Sequence, residues 1–182
     1  RERSEALAHR MRLQAILTPM VSTLARHESL SDGIEACRDD LLRLVGADGA
    51  ALVEQDSILC FGATPDEKQV RFLADWLLGR EAEDVVAISS LGEILPEARA
   101  HAAIASGLLA RPVSRLLHSW VIWFRREVVE TVTWGGDPAK PAVPDAEGGA
   151  PRLHPRKSFE LWRELVRGRA RPWLEPEIDA AQ

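Results

Sequence analysis

Residues Gly135 to Pro155, GGDPAKPAVPDAEGGAPRLHP, contain four Gly and five Pro, the prolines at 138, 141, 144, 151 and 155. No other stretch limits the fold as much. Glycine leaves the backbone unrestrained and proline removes an N–H, so this run supplies neither a helix nor an interior strand, and it stays out of any core. A loop this long in a compact domain has a task or is disordered. The fold must therefore be built from the residues on either side of it. A length of 182 residues fits a single domain over 1–182, since domains typically run to about 100–200 residues. With 46% apolar residues, such a chain can hold a packed core without disulfide staples.

Before the breaker-rich run the periodicity is mixed. From Glu2 to about His27 the spacing predicts a long helix with Leu13, Leu17, Met20 and Leu24 on one face, a seam that suits the chain's own sheet or a second copy. Pro19 removes the bond back to residue 15, so a kink or break near Thr18 is expected. A second helix over Ser31–Val45 places Ile34, Cys37, Leu41, Leu42 and Val45 together, which makes Cys37 a small core residue. Two short apolar runs around Gln55-Asp56-Ser57 predict a β-hairpin over 50–62. Thr64 as cap, Pro65 at the first position and Glu67 at the third predict a helix to about Leu78. A strand over Val85–Ile88 and one or two short helices around Pro96 follow.

From Gly107 the period changes to that of strands. SGLLARPVSR, SWVIWFRR and EVVETVTWGG predict three antiparallel strands. With about four helices this is an α+β sheet domain, helices on one face. Beyond the loop, Ser158–Arg167 has helical spacing ended by Gly168, and Pro172-Trp173 opens a last helix. Five of the six Trp, at 120, 123, 134, 162 and 173, gather around the loop and its flanks. Trp134, beside two Gly, stands where a docking anchor would be.

Several function classes fall away. No apolar run is long enough for a membrane span and the polar amino end is no secretory signal, so a cytoplasmic setting is expected. An opening on Arg1 within helix-forming sequence suggests a piece of a longer protein. Cys37 and Cys60, with His9, His27, His101, His118 and His154, show no metal-ligand spacing, and two cysteines this far apart suit a reducing compartment. No nucleophile elbow, HExxH pair or phosphate loop is present, so an enzyme is not expected. The first 110 residues carry 11 basic and 18 acidic groups, whereas 152–171 hold seven basic against two acidic. An acidic body argues against nucleic acid as a partner, and the basic stretch reads as a solvated helix face or a surface for an acidic partner.

Trp123-Phe124-Arg125, then Trp134-Gly135-Gly136, then Pro155-Arg156-x-Ser158-Phe159, then Trp162, Gly168 and Pro172-Trp173 occur in that order. The chain resembles the phytochrome-specific (PHY) domain of bacterial phytochromes, with its tongue, over nearly its whole length. It departs at Arg126, where members commonly have Pro, and at Ala170, where Ser is frequent.

The resemblance implies a GAF-related fold, a central antiparallel β-sheet flanked by helices, with long helices at both ends. Residues 1–27 would be the incoming linker helix, about 124–168 the tongue, and 173–182 the start of the outgoing signalling helix. It implies a signal-relay role in a red/far-red photoreceptor, the tongue refolding between β-hairpin and helix over the bilin pocket of the neighbouring chromophore-binding GAF domain. Arg156 would pair with an Asp there in one state and Ser158 would take over in the other, with Trp134, Gly135, Gly136, Pro155 and Phe159 in the contact. Trp123, Phe124, Trp162 and Trp173 would support it.

No cofactor is expected in this stretch, a biliverdin-type bilin belonging to the upstream domain. The output would be a module such as a histidine kinase, with a homodimer through the helices possible. Local preference suits a switch, since Val128, Val129, Val132 and Thr133 favour strand and Phe159–Trp162 tolerate helix. With the covered domain absent, 136–155 is expected to be poorly protected. Two rivals are a GAF-type small-molecule sensor with its own closed apolar pocket and a basic-patch binder whose affinity falls steeply with salt.

Overall fold

The computed structural model describes residues 2–80, 84–114, 116–128 and 167–182. Helix α1 spans Glu2–Leu24, α2 Leu30–Ala36 and α3 Arg38–Val45. A hairpin of β1 (Gly49–Val53) and β2 (Ile58–Gly62) leads to α4 (Glu67–Leu78) and β3 (Val86–Ile88). Next come α5 (Leu91–Ile94), a 3₁₀ turn (Pro96–His101), α6 (Ala102–Ala105), β4 (Gly107–Ser114) and β5 (Ser119–Arg125). A final helix, α7, covers Glu175–Ala181. The strands form one antiparallel sheet in the order β2-β1-β5-β4-β3.

Alternation along the strands decides what each side chain touches. Trp120, Ile122 and Phe124 of β5, with Ala51 and Val53 of β1 and Leu108 and Ala110 of β4, meet Val70, Leu73, Ala74 and Leu77 of α4 and Leu91 of α5. Val121 and Trp123, with Ala50, Leu52 and Leu109, meet Leu13 and Met20 of α1, Leu41, Leu44 and Val45 of α3, and Ala181 of α7. Helices thus cover both faces, not one as the strand count predicts. That is why β1 and β5 are buried at every position and read as continuous apolar runs. Fully burying a side chain the size of Leu, Ile or Phe contributes about 1.5–3 kcal/mol, so the middle of the sheet is its best-held part.

Other expectations are corrected by local chemistry. Helix α1 runs unbroken through Pro19; beside it the Thr18 hydroxyl donates to the Gln14 carbonyl and Ser22 to that of Thr18, each at 3.1 Å. Its seam packs on the chain's own sheet. The helix expected over Ser31–Val45 is two, because Cys37 leaves helical geometry (φ −116°, ψ 22°). Cys37 itself is a core residue as expected, its Sγ donating to Gly33 O. Asp66, not Thr64, caps α4, accepting from Gln69 N–H at 2.9 Å.

The last helix starts two residues beyond Trp173, at Glu175. Of the third strand expected after β5, Glu127 and Val128 are described and are not in the sheet. The remainder, and the helix expected over Ser158–Arg167 up to Val166, lie outside the described residues.

Candidate functional site

The last three residues of β5 each fix a different neighbour. Trp123 buries its indole and donates from Nε1 to Leu41 O of α3 at 3.0 Å. Phe124 is fully buried on the opposite face. Arg125, only 2% exposed, uses all of its N–H groups. Nε donates to Gly46 O at 3.1 Å, Nη1 to Arg171 O at 3.1 Å and Pro172 O at 2.9 Å, and Nη2 to Val45 O and to Glu177 Oε2 at 2.8 Å. Its guanidinium lies 3.6 Å from the centroid of the Trp173 ring, within range of a cation–π contact.

The local sequence explains why α3 offers those carbonyls. Gly46 ends the helix in the left-handed region (φ 57°), with Ala47 N–H reaching back to Leu42 O at 2.9 Å. Carbonyls at the end of a helix lack helical partners and carry its negative pole, which suits a cation.

Glu177 holds the other side. It is 3% exposed, and its carboxylate accepts from Arg125, from Arg171 Nη2 at 2.9 Å and from Leu174 N–H at 2.8 Å. The last bond is half of a capping box for α7. Burial opposes its ionisation, but the bonds from Leu174 N–H, Arg125 and Arg171 outweigh burial and hold it below the ordinary range. Burial pushes the Arg125 guanidinium down and the Glu177 bond pulls it back. The pair stays ionised because every N–H of Arg125 is engaged and both oxygens of Glu177 accept hydrogen bonds.

Just beyond β5 the chain meets its own return. Val128 N–H donates to Arg169 O at 2.7 Å, and Gly168 N–H donates to Glu127 Oε2 at 2.9 Å. Arg126 N–H donates to Asp48 Oδ2 at 2.9 Å and Ala170 N–H to Ser89 O at 2.8 Å. Arg169 pairs with Glu93 at 3.0 Å in an exposed bridge. Gly107 must be small here, since a Cβ on it would lie 2.7 Å from the Ala170 Cβ. The stretches before residue 129 and after residue 166 are thus held together at one clamped base. Trp173 follows, buried, with Nε1 donating to Ile88 O at 3.0 Å.

Of the residues singled out from sequence, the structure gathers Trp123, Phe124 and Trp173 around this base. Trp134, Gly135, Gly136, Pro155, Arg156, Ser158, Phe159 and Trp162 lie outside the described residues, as does the poorly protected run expected over 136–155. In the basic stretch, Arg169 and Arg171 are engaged by Glu93 and Glu177, whereas Arg152, Arg156, Lys157 and Arg163 lie outside. Glu177 carries no sequence signal of its own: it is 52 positions from Arg125 and outside every motif.

Both faces of the sheet are filled by side chains. Two depressions among the described residues, of about 470 Å³ beside Asp84, Arg111 and Gln182 and about 360 Å³ beside Asp56, Arg71 and His118, have charged and polar groups in their walls. Neither is lined by Cys37 or Cys60. Among the described residues no three His, Cys, Asp or Glu are grouped to hold a metal, and no helix is long and apolar enough to cross a membrane.

Comparison with known proteins places this arrangement. The family model described as PHY, phytochrome region, matches residues 13–182. The chain is 42% identical over 183 residues to a phytochrome-like protein of Synechocystis, covering 99% of this chain and 24% of that protein. It is 40% identical over 181 residues to cyanobacterial phytochrome A of Nostoc, covering 100% of this chain and 23% of that protein. A crystal structure of a bacteriophytochrome from the photosynthetic bacterium R. palustris matches with a TM-score of 0.71 at 37% identity, covering 99% of this chain and 36% of that one. The chain thus spans about a quarter of the length of these curated relatives.

Proposed function

This chain belongs to the phytochrome region family, a signalling region and not an enzyme, and from that premise we propose that it relays the signal of a red/far-red photoreceptor. Residues from about 124 to 168 act as the tongue. Their tip contacts a bilin-binding domain of the same receptor and their base passes a change of conformation to α7. The observation that carries this reading is the clamped base, where Val128 N–H meets Arg169 O at 2.7 Å. A segment whose two flanks are held to the sheet and to the stretch leading into α7 delivers any internal refolding to one place.

The bilin is held elsewhere in the receptor. Cys37 is buried and hydrogen-bonded, and Cys60, exposed on the edge strand, lines neither of the two depressions described above. Arg156 is the residue for the contact with the bilin domain, because a planar guanidinium suits a bidentate, partly desolvated carboxylate. Ser158 takes over in the other state, and Trp134, Gly135, Gly136, Pro155 and Phe159 complete the contact. Signal passes on from α7 to an output module such as a histidine kinase. A second copy packs along α1, where Leu7, Met11 and Val21 stay exposed while Leu13 and Met20 face the chain's own core. The receptor works in the cytoplasm.

In the whole receptor, Arg156→Ala should change the photoproduct spectrum or speed its thermal reversion. An unchanged photocycle would remove Arg156 from this role.

A further inference from the structure

One side chain at the end of β5 reaches both the base of the tongue and the start of α7. Arg125 ends β5, three residues before Val128 closes the base. Its guanidinium simultaneously holds the end of α3 through Val45 O and Gly46 O, the returning segment through Arg171 O and Pro172 O, and α7 through Glu177. We propose that Arg125 and Glu177 couple the tongue to the outgoing helix, Arg125 being the positioning residue; the proposal rests on the functional reading above and names the contact through which it operates.

The donor count makes the case. Every N–H of Arg125 is used, and Glu177 accepts from Arg125, Arg171 and the Leu174 N–H at the start of its own helix. Moving the end of β5 relative to α7 would strand a buried charge and several carbonyls, so the low-energy response is for β5, the end of α3 and α7 to move as one body. Stacking on Trp173 fixes the plane of the guanidinium, which restricts the motions that would let the bonds break one at a time. Lysine cannot substitute, because a point ammonium with three donors spans neither the fork nor the stack. Asp48 and Arg171 are the other charges acting on Arg125. Asp48 accepts from Arg126 N–H and Arg171 binds the second oxygen of Glu177, so neither replaces the pair.

The test compares amide hydrogen exchange in darkness and under saturating red light for the bilin-loaded receptor, as wild type, Arg125→Lys and Glu177→Gln. In the wild type, light should change exchange in residues 175–182 by about threefold or more, as local opening equilibria respond to altered docking. In both variants the absorbance change and the light-dependent exchange within 129–166 should persist while the light-dependent difference at 175–182 disappears. A purely structural role would instead raise exchange at 175–182 equally in darkness and light and leave the difference intact. That result overturns the coupling, as does a photoconverting wild type with no light-dependent difference there. If Arg125→Lys does not fold, Glu177→Gln carries the comparison, since its amide oxygen still accepts from Leu174 N–H. A receptor that binds no bilin or does not photoconvert overturns the functional reading itself, an outcome distinct from loss of coupling.

Discussion

At the scale of single residues, Glu177 is the most consequential group that sequence patterns do not reveal. Trp123-Phe124-Arg125 stands out as a motif and Trp173 as an aromatic near a proline. The acid that completes them has no fixed spacing, because a buried ion pair is selected by tertiary contact and not by helical or strand period. Its carboxyl is lowered from the ordinary 4.5, so its contribution to stability is complete above that value and is lost as the pH falls through the lowered one. At pH 7, Glu177→Gln should lower the free energy of unfolding by about 3 kcal/mol, the cost of leaving a buried charge unpaired. Below pH 4.5 the gap to the wild type should close. Urea titrations followed by tryptophan fluorescence would measure it, and a gap that stays constant down to pH 3 would contradict the assignment.

At the scale of elements, most strands and helices are legible and their ends are not. The hairpin over 50–62 and the helix to Leu78 follow from turn chemistry and period, whereas the cap moves from Thr64 to Asp66 because a carboxylate two residues on reaches Gln69 N–H. The break at Cys37 has no counterpart in the apolar pattern, since Ile34, Leu41 and Leu44 remain on one face across it. Helices on both sheet faces, by contrast, are signalled by the continuous apolar runs of β1 and β5, since a strand with one covered face would alternate. The close approach of Ala170 to Gly107 of β4 is testable at this scale. Gly107→Ala should destabilise by about 1–3 kcal/mol through overpacking, and Ala170→Gly should recover part of the loss in the double variant. Thermal unfolding of the four proteins would show this; additive losses would mean the two positions do not touch.

At the scale of the molecule, the order β2-β1-β5-β4-β3 sets a gradient of stability. Strands β1 and β5 are sealed on both faces, whereas β2 and β3 lie at the edges. Exchange of the amides at 50–53 and 120–124 should be the slowest in the chain, with those at 58–61 and 86–88 faster, and equal rates across the sheet would argue against this account. Helices α1 and α7 pack on the same face, α7 also touching α3, so the first and last helices share one layer. The hydrogen bond from Val128 to Arg169 also has a consequence for how such a chain changes over generations. It brings two points of the chain together whatever lies between them, and each doubling of the length between two such points costs only about 0.6 kcal/mol in closure entropy. Such a segment can be lengthened, trimmed or exchanged for another while the sheet keeps its threading, which leaves its sequence free to follow whatever surface it must meet.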